Sequence, residues 1–85
     1  MKLVMIKKAG CMPCKQFEPF AKQEAEKNSI SFKTVMREDM PEETHPPFFP
    51  YFYLYQNKEF MESWGGVNER KFLSALKRNL KKTQD

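Results

Sequence analysis

Apolar residues follow two different spacings along the first half of the chain, and the change of spacing predicts where a strand and a helix lie. Residues 2–7 form an almost unbroken apolar run with β-branched members, which is typical of a strand buried on both faces. A helix face follows, with apolar residues at intervals of three and four: Phe17, Phe20, Ala21 and Ala25. We predict a central strand over 2–7 and a helix that ends at 28–29.

Residues 30–36 alternate between apolar and polar side chains, which predicts a second strand at the edge of a sheet. A strand, a helix and a strand within so short a stretch imply a right-handed crossover. The first two strands are therefore expected to pair in parallel.

The second half of the chain predicts a loop, a hairpin and a final helix. Residues 37–49 are acidic and then rich in proline, as expected of a loop with at most one helical turn. Two β-rich runs, 51–55 and 59–64, are joined by a short turn in which Asn57 tolerates positive φ, although Lys58 leaves the turn type open. Asn68 is a plausible N-cap for a last helix. The apolar face of that helix is predicted to contain Phe72, Leu73, Leu76 and Leu80.

Composition limits the class of protein. Eighty-five residues make one domain, 1–85, and 40% hydrophobic with 14% aromatic residues exclude long disorder. Only 3 glycines and 2 cysteines exclude collagen-like chains and disulfide scaffolds. We expect a single α/β domain.

The charge and hydropathy of the chain argue against nucleic acid and membrane as partners. The net charge of +4 is concentrated in the basic end of the last helix, where the helix dipole favours cations. No basic stripe interleaved with exposed aromatics accompanies it, so no nucleic acid is expected as a partner. The chain has no apolar run long enough for a membrane span and no secretory signal pattern. We expect a cytoplasmic protein without membrane contact.

Cys11 and Cys14 form a Cys-x-x-Cys pair between the first strand and the first helix. A helix N-terminus stabilises a thiolate, which is the form that attacks disulfides. We expect Cys11, at the helix entrance, to be the nucleophile and Cys14, one turn deeper, to resolve the mixed disulfide. The same spacing is also half of a zinc site, for which only His45 and carboxylates are available as further ligands. An idle pair in a non-catalytic binding module is a third reading.

These motifs resemble those of thioredoxins and glutaredoxins over nearly the whole chain. Cys11-Met12-Pro13-Cys14-Lys15, with Pro19 further along the helix, is similar to the thioredoxin active-site helix. Residues 49–59 resemble the segment that contains a cis-proline and a hairpin, and 64–66 fit the glycine turn after it. The resemblance implies the thioredoxin fold in a minimal βαβ-ββα form, with a four-stranded mixed sheet flanked by helices and with Pro50 as the cis-proline.

The resemblance extends to two branches of the family. The compact outline is closer to glutaredoxins and to the small glutaredoxin-like redoxins that reduce ribonucleotide reductase, and Lys8 matches a basic residue of glutaredoxins. Residues 65–69 are similar to a glutathione-binding turn, with Asn68 in place of its first acid. Residues 64–67 also resemble the corresponding stretch of the ribonucleotide-reductase redoxins, and Met12-Pro13 is not the pair usual in glutaredoxins.

Two groups of the thioredoxin site have no counterpart. The buried acid that assists the resolving cysteine falls on Met5, and the tryptophan of the thioredoxin site has no counterpart because Ala9-Gly10 precedes Cys11. We therefore expect Cys14 to lose its proton more slowly than in a full thioredoxin, unless Lys7 or Lys8 compensates electrostatically.

By resemblance, the chain is expected to be a monomeric thiol–disulfide oxidoreductase that donates electrons to client protein disulfides, ribonucleotide reductase among them. Its reductant would be thioredoxin reductase or glutathione, and no metal or other cofactor is implied. A glutathione-dependent glutaredoxin is the alternative within the family, and a binding module that uses the Phe48-Phe49-Pro50 surface is the alternative outside it. The expected substrate-binding residues are Lys8, Met12, Pro13, Phe49, Pro50, Gly65 and Gly66.

Overall fold

Four strands and two α-helices follow one another in the predicted order. The computed structural model describes residues 1–82, so the last three positions of the predicted domain 1–85 lie outside the described residues. The elements are β1 (Lys2–Lys7), α1 (Met12–Lys27), β2 (Ser31–Met36), β3 (Tyr51–Gln56), β4 (Glu59–Gly65) and α2 (Glu69–Lys82). Two short 3₁₀ turns, Arg37–Asp39 and Glu42–Thr44, lie between β2 and β3, where the sequence predicted one turn at most.

The strands form one mixed sheet in the order β2-β1-β3-β4. β1 pairs in parallel with β2, where Leu3 lies opposite Phe32, and antiparallel with β3, where Leu3 lies opposite Leu54. β3 and β4 form the antiparallel hairpin. The central position of β1, the edge position of β2 and their parallel pairing are confirmed.

The β3–β4 hairpin turns through two residues in the left-handed region. Asn57 has φ 50° and Lys58 has φ 69°. Two consecutive positive φ values in a two-residue loop are typical of a type I′ turn, whose twist matches that of the flanking strands. This settles the turn type that Lys58 had left open.

Both α-helices pack on the same face of the sheet. The Phe17 ring of α1 lies 5.8 Å from the Phe52 ring of β3 and 5.6 Å from the Phe72 ring of α2, measured between centroids. Phe72 also lies 5.1 Å from Phe52 and 5.8 Å from Trp64. The core is therefore an aromatic cluster between this inner face and the two helices.

The buried stripe of α2 differs from the predicted one at one position. Phe72 and Leu76 are buried as predicted, but Leu73 is 42% exposed. Leu73 follows Phe72 directly, and consecutive residues lie about 100° apart around a helix. The inward positions are instead taken by Ala75 and Asn79.

Asn79 and Arg78 connect α2 to β4 through one carboxylate. The Asn79 side-chain amide donates to Glu62 Oε1 at 2.8 Å and to the Ala75 carbonyl oxygen at 2.7 Å. Arg78 donates to both carboxylate oxygens of Glu62. The hydrogen bond from Arg78 is the main cause that lowers the pKa of Glu62. The carboxylate therefore stays ionised and accepts from the NH2 group of the fully buried Asn79, whose side-chain oxygen has no hydrogen-bond partner among the described residues.

Candidate active site

The strand directions bring the predicted site residues to one end of the sheet. β1 and β2 are parallel, so the segments after both strands leave at the same end. β3 is antiparallel to β1, and Tyr51 at its start lies opposite Ile6 near the end of β1. β4 is antiparallel to β3, so its last residues return to that end. The cysteine loop, the segment before β3 and the glycine turn after β4 are therefore neighbours.

Cys11 and Cys14 form a disulfide at the N-terminus of α1. Cys11 is the N-cap residue, and its sulfur accepts a hydrogen bond from the Cys14 backbone N–H at 3.2 Å. Gly10, with φ +74°, turns the chain into the helix, and Pro13 occupies the first turn. The backbone donor and the helix dipole both favour negative charge on the Cys11 sulfur once the disulfide is reduced.

The two sulfurs differ in access. Cys14 is 1% exposed and belongs to the core cluster, whereas Cys11 is only partly buried. This is the difference in depth that the sequence predicted. An incoming sulfur therefore meets Cys11 first, because Cys14 is almost entirely shielded from solvent.

A cavity of about 440 Å³ opens beside the disulfide and has a cationic lining. Both cysteines contribute to its wall, together with three lysines, Lys7, Lys8 and Lys15. Its single lining carboxylate, Glu18, is paired with Lys7 at 2.7 Å. The wall therefore has an excess of positive charge, which favours thiolates and anionic ligands.

Glu18 is a site residue that the sequence did not identify. It lies four residues after Cys14 on α1, and this spacing places the two side chains on the same helix face. Position 5, where the thioredoxin acid would fall, holds a fully buried Met5. Glu18 and its partner Lys7 thus form an ion pair on the wall of the cavity that Cys14 also lines.

The Phe49 ring lies between the core and two cations. Phe49 packs partly against the core cluster. The Lys8 ammonium lies 5.4 Å from its ring centroid, and the Arg37 guanidinium carbon lies 5.8 Å from it. Arg37, the first residue after β2, also escaped the sequence analysis, although parallel pairing of β1 and β2 brings it to this end of the sheet.

Pro50 and the glycine turn are joined by one backbone hydrogen bond. The resemblance implied a cis-proline at position 50, and the Phe49–Pro50 peptide bond is cis in the structure. Pro50 is fully buried, and its carbonyl oxygen accepts from the Gly66 N–H at 2.9 Å. Gly66 has φ +97°, a conformation in which a side chain would be strained.

Gly65 is required by close packing. It is buried, and an added Cβ at this position would overlap the rings of Phe48 and Tyr51. The glycine thus allows Phe48 to lie over the end of β4, where its ring remains 48% exposed. Two other exposed apolar side chains lie by the disulfide helix: Met12, which is 58% exposed, and Val67, which shares a cavity wall with Pro13.

The described residues contain few other candidates for site chemistry. Within residues 1–82, no group of three or more His, Cys, Asp or Glu side chains is arranged to hold a metal ion. His45 lies elsewhere in the proline-rich loop, with its Nε2 3.0 Å from the Met40 carbonyl oxygen. Over the same residues, no helix is both long and apolar enough to cross a membrane.

Comparison with solved structures identifies the fold. Thioredoxin 1 from Thermosipho africanus TCF52B superposes with a TM-score of 0.85 and 15% identity, over 100% of both chains. Thioredoxin f2 from Chlamydomonas reinhardtii matches with a TM-score of 0.78 and 20% identity, over 92% of this chain and 77% of that one. A structure of thioredoxin f2 in complex with ferredoxin:thioredoxin reductase matches with a TM-score of 0.79 and 17% identity, over 92% and 76%. No protein-family model and no curated protein matches the sequence. The chain has the thioredoxin fold.

Proposed function

We propose that this thioredoxin-fold chain is a thiol–disulfide oxidoreductase in which the Cys11–Cys14 dithiol donates two electrons to client protein disulfides. The observation that supports this most directly is the pairing of a partly exposed sulfur at a helix N-terminus with a buried one bonded to it. Met12 and Pro13 directly follow the accessible Cys11, and Phe49 precedes β3 at the same end of the sheet, so their apolar side chains would offer contacts to a client chain.

The reaction proceeds by two exchange steps. The Cys11 thiolate attacks one sulfur of the client disulfide, so that the Cys11–client bond forms and the client S–S bond breaks. The released client sulfur leaves as a thiolate and takes up a proton. Cys14 then loses its proton and attacks the Cys11 sulfur, which closes the Cys11–Cys14 disulfide and releases the second client thiol. The client gains two electrons and two protons, and this protein is oxidised.

The Lys7–Glu18 pair is proposed to assist the second step. Both side chains line the cavity that Cys14 also lines. The Lys7 ammonium favours a thiolate on either sulfur, and the Glu18 carboxylate is a proton acceptor on the same helix face as Cys14. This pair would offset in part the slow deprotonation expected from Met5.

Replacing Cys14 by Ser is expected to trap client proteins covalently. The first step still forms the mixed disulfide through Cys11, but the side chain that releases it is lost. Incubating Cys14→Ser protein with an oxidised cell extract, followed by non-reducing electrophoresis, should show adducts that collapse on addition of dithiothreitol.

The matched control is the Cys11→Ser, Cys14→Ser double variant, which should form none of these adducts. Recovery of adducts from the double variant, or their absence from Cys14→Ser, would contradict the assigned order of attack. Mass spectrometry of the adducts also tests the more specific proposal that ribonucleotide reductase is a client.

Two reductants fit the site, and each has a separate observation in its favour. The thioredoxin f2 neighbour was solved with ferredoxin:thioredoxin reductase, which supports a reductase partner. The cationic cavity, with Lys8 and Lys15 unmatched by carboxylates on its wall, supports the carboxylate-bearing tripeptide glutathione. A glutathione-dependent activity is therefore the second candidate function.

If glutathione is the reductant, replacing Lys8 by Gln is expected to raise the KM for glutathione several-fold, because a carboxylate loses one cation. The measurement is NADPH consumption coupled to glutathione reductase, run beside an assay coupled to thioredoxin reductase. Lys22→Gln, an equal loss of charge on the exposed side of α1, is the control. Turnover with thioredoxin reductase alone would reject the glutathione-dependent form. Location in the cytoplasm and the monomeric state stay predictions.

A further inference from the structure

The sheet has a second face that neither α-helix covers, which we call the outer face. Leu3, Met5, Phe52 and Leu54 point to the helices and are fully buried. Side chains alternate along a strand, so the residues between them point the other way. Three rows across the outer face follow from the strand pairing. The row of Val35, Ile6, Tyr51 and Gly65 is covered, since Ile6 is 2% exposed and the Phe48 ring packs on Tyr51. The other two rows are Lys33, Val4, Tyr53 and Ser63, and Ser31, Lys2, Tyr55 and Phe60.

Aromatic rings form a continuous cluster on this outer face. The Phe60 ring lies 6.3 Å from the Tyr53 ring and 6.0 Å from the Tyr55 ring. The Tyr51 ring lies 5.4 Å from that of Tyr53. The tyrosines are half-buried and Phe60 is 52% exposed. Ring surface on neighbouring strands is thus accessible from one side.

The charged side chains of the two rows, Lys2 and Lys33, are both positive, and Glu59 is the carboxylate next to Phe60 in the chain. Lys2 and Lys33 are exposed on the same two rows, and Lys58 joins Lys2 and Tyr55 around a cavity of about 550 Å³. None of the residues in those two rows has a carboxylate. Burial, together with Tyr51 and Tyr55, raises the pKa of Tyr53, so its phenol adds no negative charge at neutral pH. Two copies facing each other here would repel, and an anionic partner would be attracted.

We propose that the outer face binds single-stranded nucleic acid, with bases stacked on Tyr53, Tyr55 and Phe60 and phosphates beside Lys2, Lys33 and Lys58. Stacking rings on an open four-stranded sheet, flanked by cations, is a combination that accepts single strands without sequence preference. The sequence predicted no such partner because these lysines lie in separate segments, and only the strand pairing brings them beside the tyrosines. The proposal is independent of the cysteine chemistry.

The test is fluorescence anisotropy of a labelled 15-nucleotide oligo(dT) titrated with the full chain at about 50 mM salt. We expect a Kd in the range of about 10⁻⁶–10⁻⁴ M, typical of non-specific binding, with a logarithmic salt slope near −2 for three lysines. Phe60→Leu and Tyr55→Leu should each weaken binding by about 5-fold or more, because a stacking ring is lost while an apolar side chain remains. Tyr55→Phe, which keeps the ring, should bind as the parent chain does.

Charge variants separate this face from general attraction. Lys33→Gln should weaken binding and reduce the size of the salt slope by about 0.7. Lys22→Gln removes the same charge from the exposed side of α1, which packs on the opposite face of the sheet. This variant should leave the affinity and the salt slope unchanged. Equal effects of the two variants, or no binding at about 100 μM protein, would overturn the proposal. Competition by polyglutamate as strong as that by unlabelled oligo(dT) would also overturn it and would assign the face to an acidic polypeptide.

Discussion

Replacing Cys11 by Ser is expected to reduce the catalysed rate of insulin disulfide reduction to that of dithiothreitol alone, a loss on the order of a hundredfold or more. The Ser hydroxyl is not ionised at neutral pH and does not attack a disulfide, and the buried Cys14 sulfur is not accessible to take over. Turbidity of precipitating insulin chains measures the rate.

Cys14→Ser is the matched control, because it removes the other sulfur and leaves the nucleophile. It should still form one equivalent of mixed disulfide per chain in a single turnover, whereas Cys11→Ser should form none. Circular dichroism of both variants checks that the fold persists. Unchanged insulin turnover in Cys11→Ser would leave the non-catalytic binding module as the better account of the chain.

Replacing Phe72 by Ala is expected to lower the free energy of unfolding by about 3–5 kcal/mol, the usual result of truncating a buried phenylalanine. The Phe72 ring is 1% exposed and contacts rings from α1 and from two strands, Phe17, Phe20, Phe52 and Trp64. A chain of this size has a small total stability, so the loss would bring it close to unfolding. Urea denaturation followed by tryptophan fluorescence gives the value.

Leu73→Ala, one residue further along the same helix, is the control for this experiment. Its side chain is 42% exposed, so we expect a loss of less than about 1 kcal/mol. Equal losses at the two positions would mean that α2 is rotated from the orientation described above.

Local patterns predicted most of the fold because the local and tertiary preferences agree. The spacing on α1 identifies both the helix and its buried side. The apolar run of β1 identifies the strand, but it predicted burial on both faces, whereas Lys2 is exposed and Val4 is half-buried. The prediction failed at Leu73, which lies at the border of the buried stripe of α2. Spacing alone does not distinguish an apolar residue at this border from one that points into the core. β2 likewise begins at Ser31 and not at Ile30, whose backbone N–H donates to the Ala25 carbonyl oxygen near the end of α1.

From the residues alone, the candidate site was predictable only around the Cys-x-x-Cys motif, and the family resemblance added Phe49, Pro50 and the glycine turn. Arg37 lies 26 positions from Cys11 in the chain and reaches the site through the parallel pairing of β1 with β2. The i, i+4 spacing from Cys14 could have identified Glu18 as a site residue. The sequence does not show that Lys7, at the end of β1, would be the partner of Glu18. Contacts of this kind depend on strand order, which periodicity does not encode.

The disulfide closes a very small ring, since only two residues separate Cys11 from Cys14. A cross-link stabilises a protein by restricting its unfolded chain, and this effect is smaller when the closed loop is short. For a ring of this size the chain-entropy model gives a stabilisation of about 2 kcal/mol. Opening the bond therefore removes less stability than losing one ring of the aromatic cluster. The scaffold is therefore expected to stay assembled in both the disulfide and the dithiol form, so the proposed redox cycle would need no refolding.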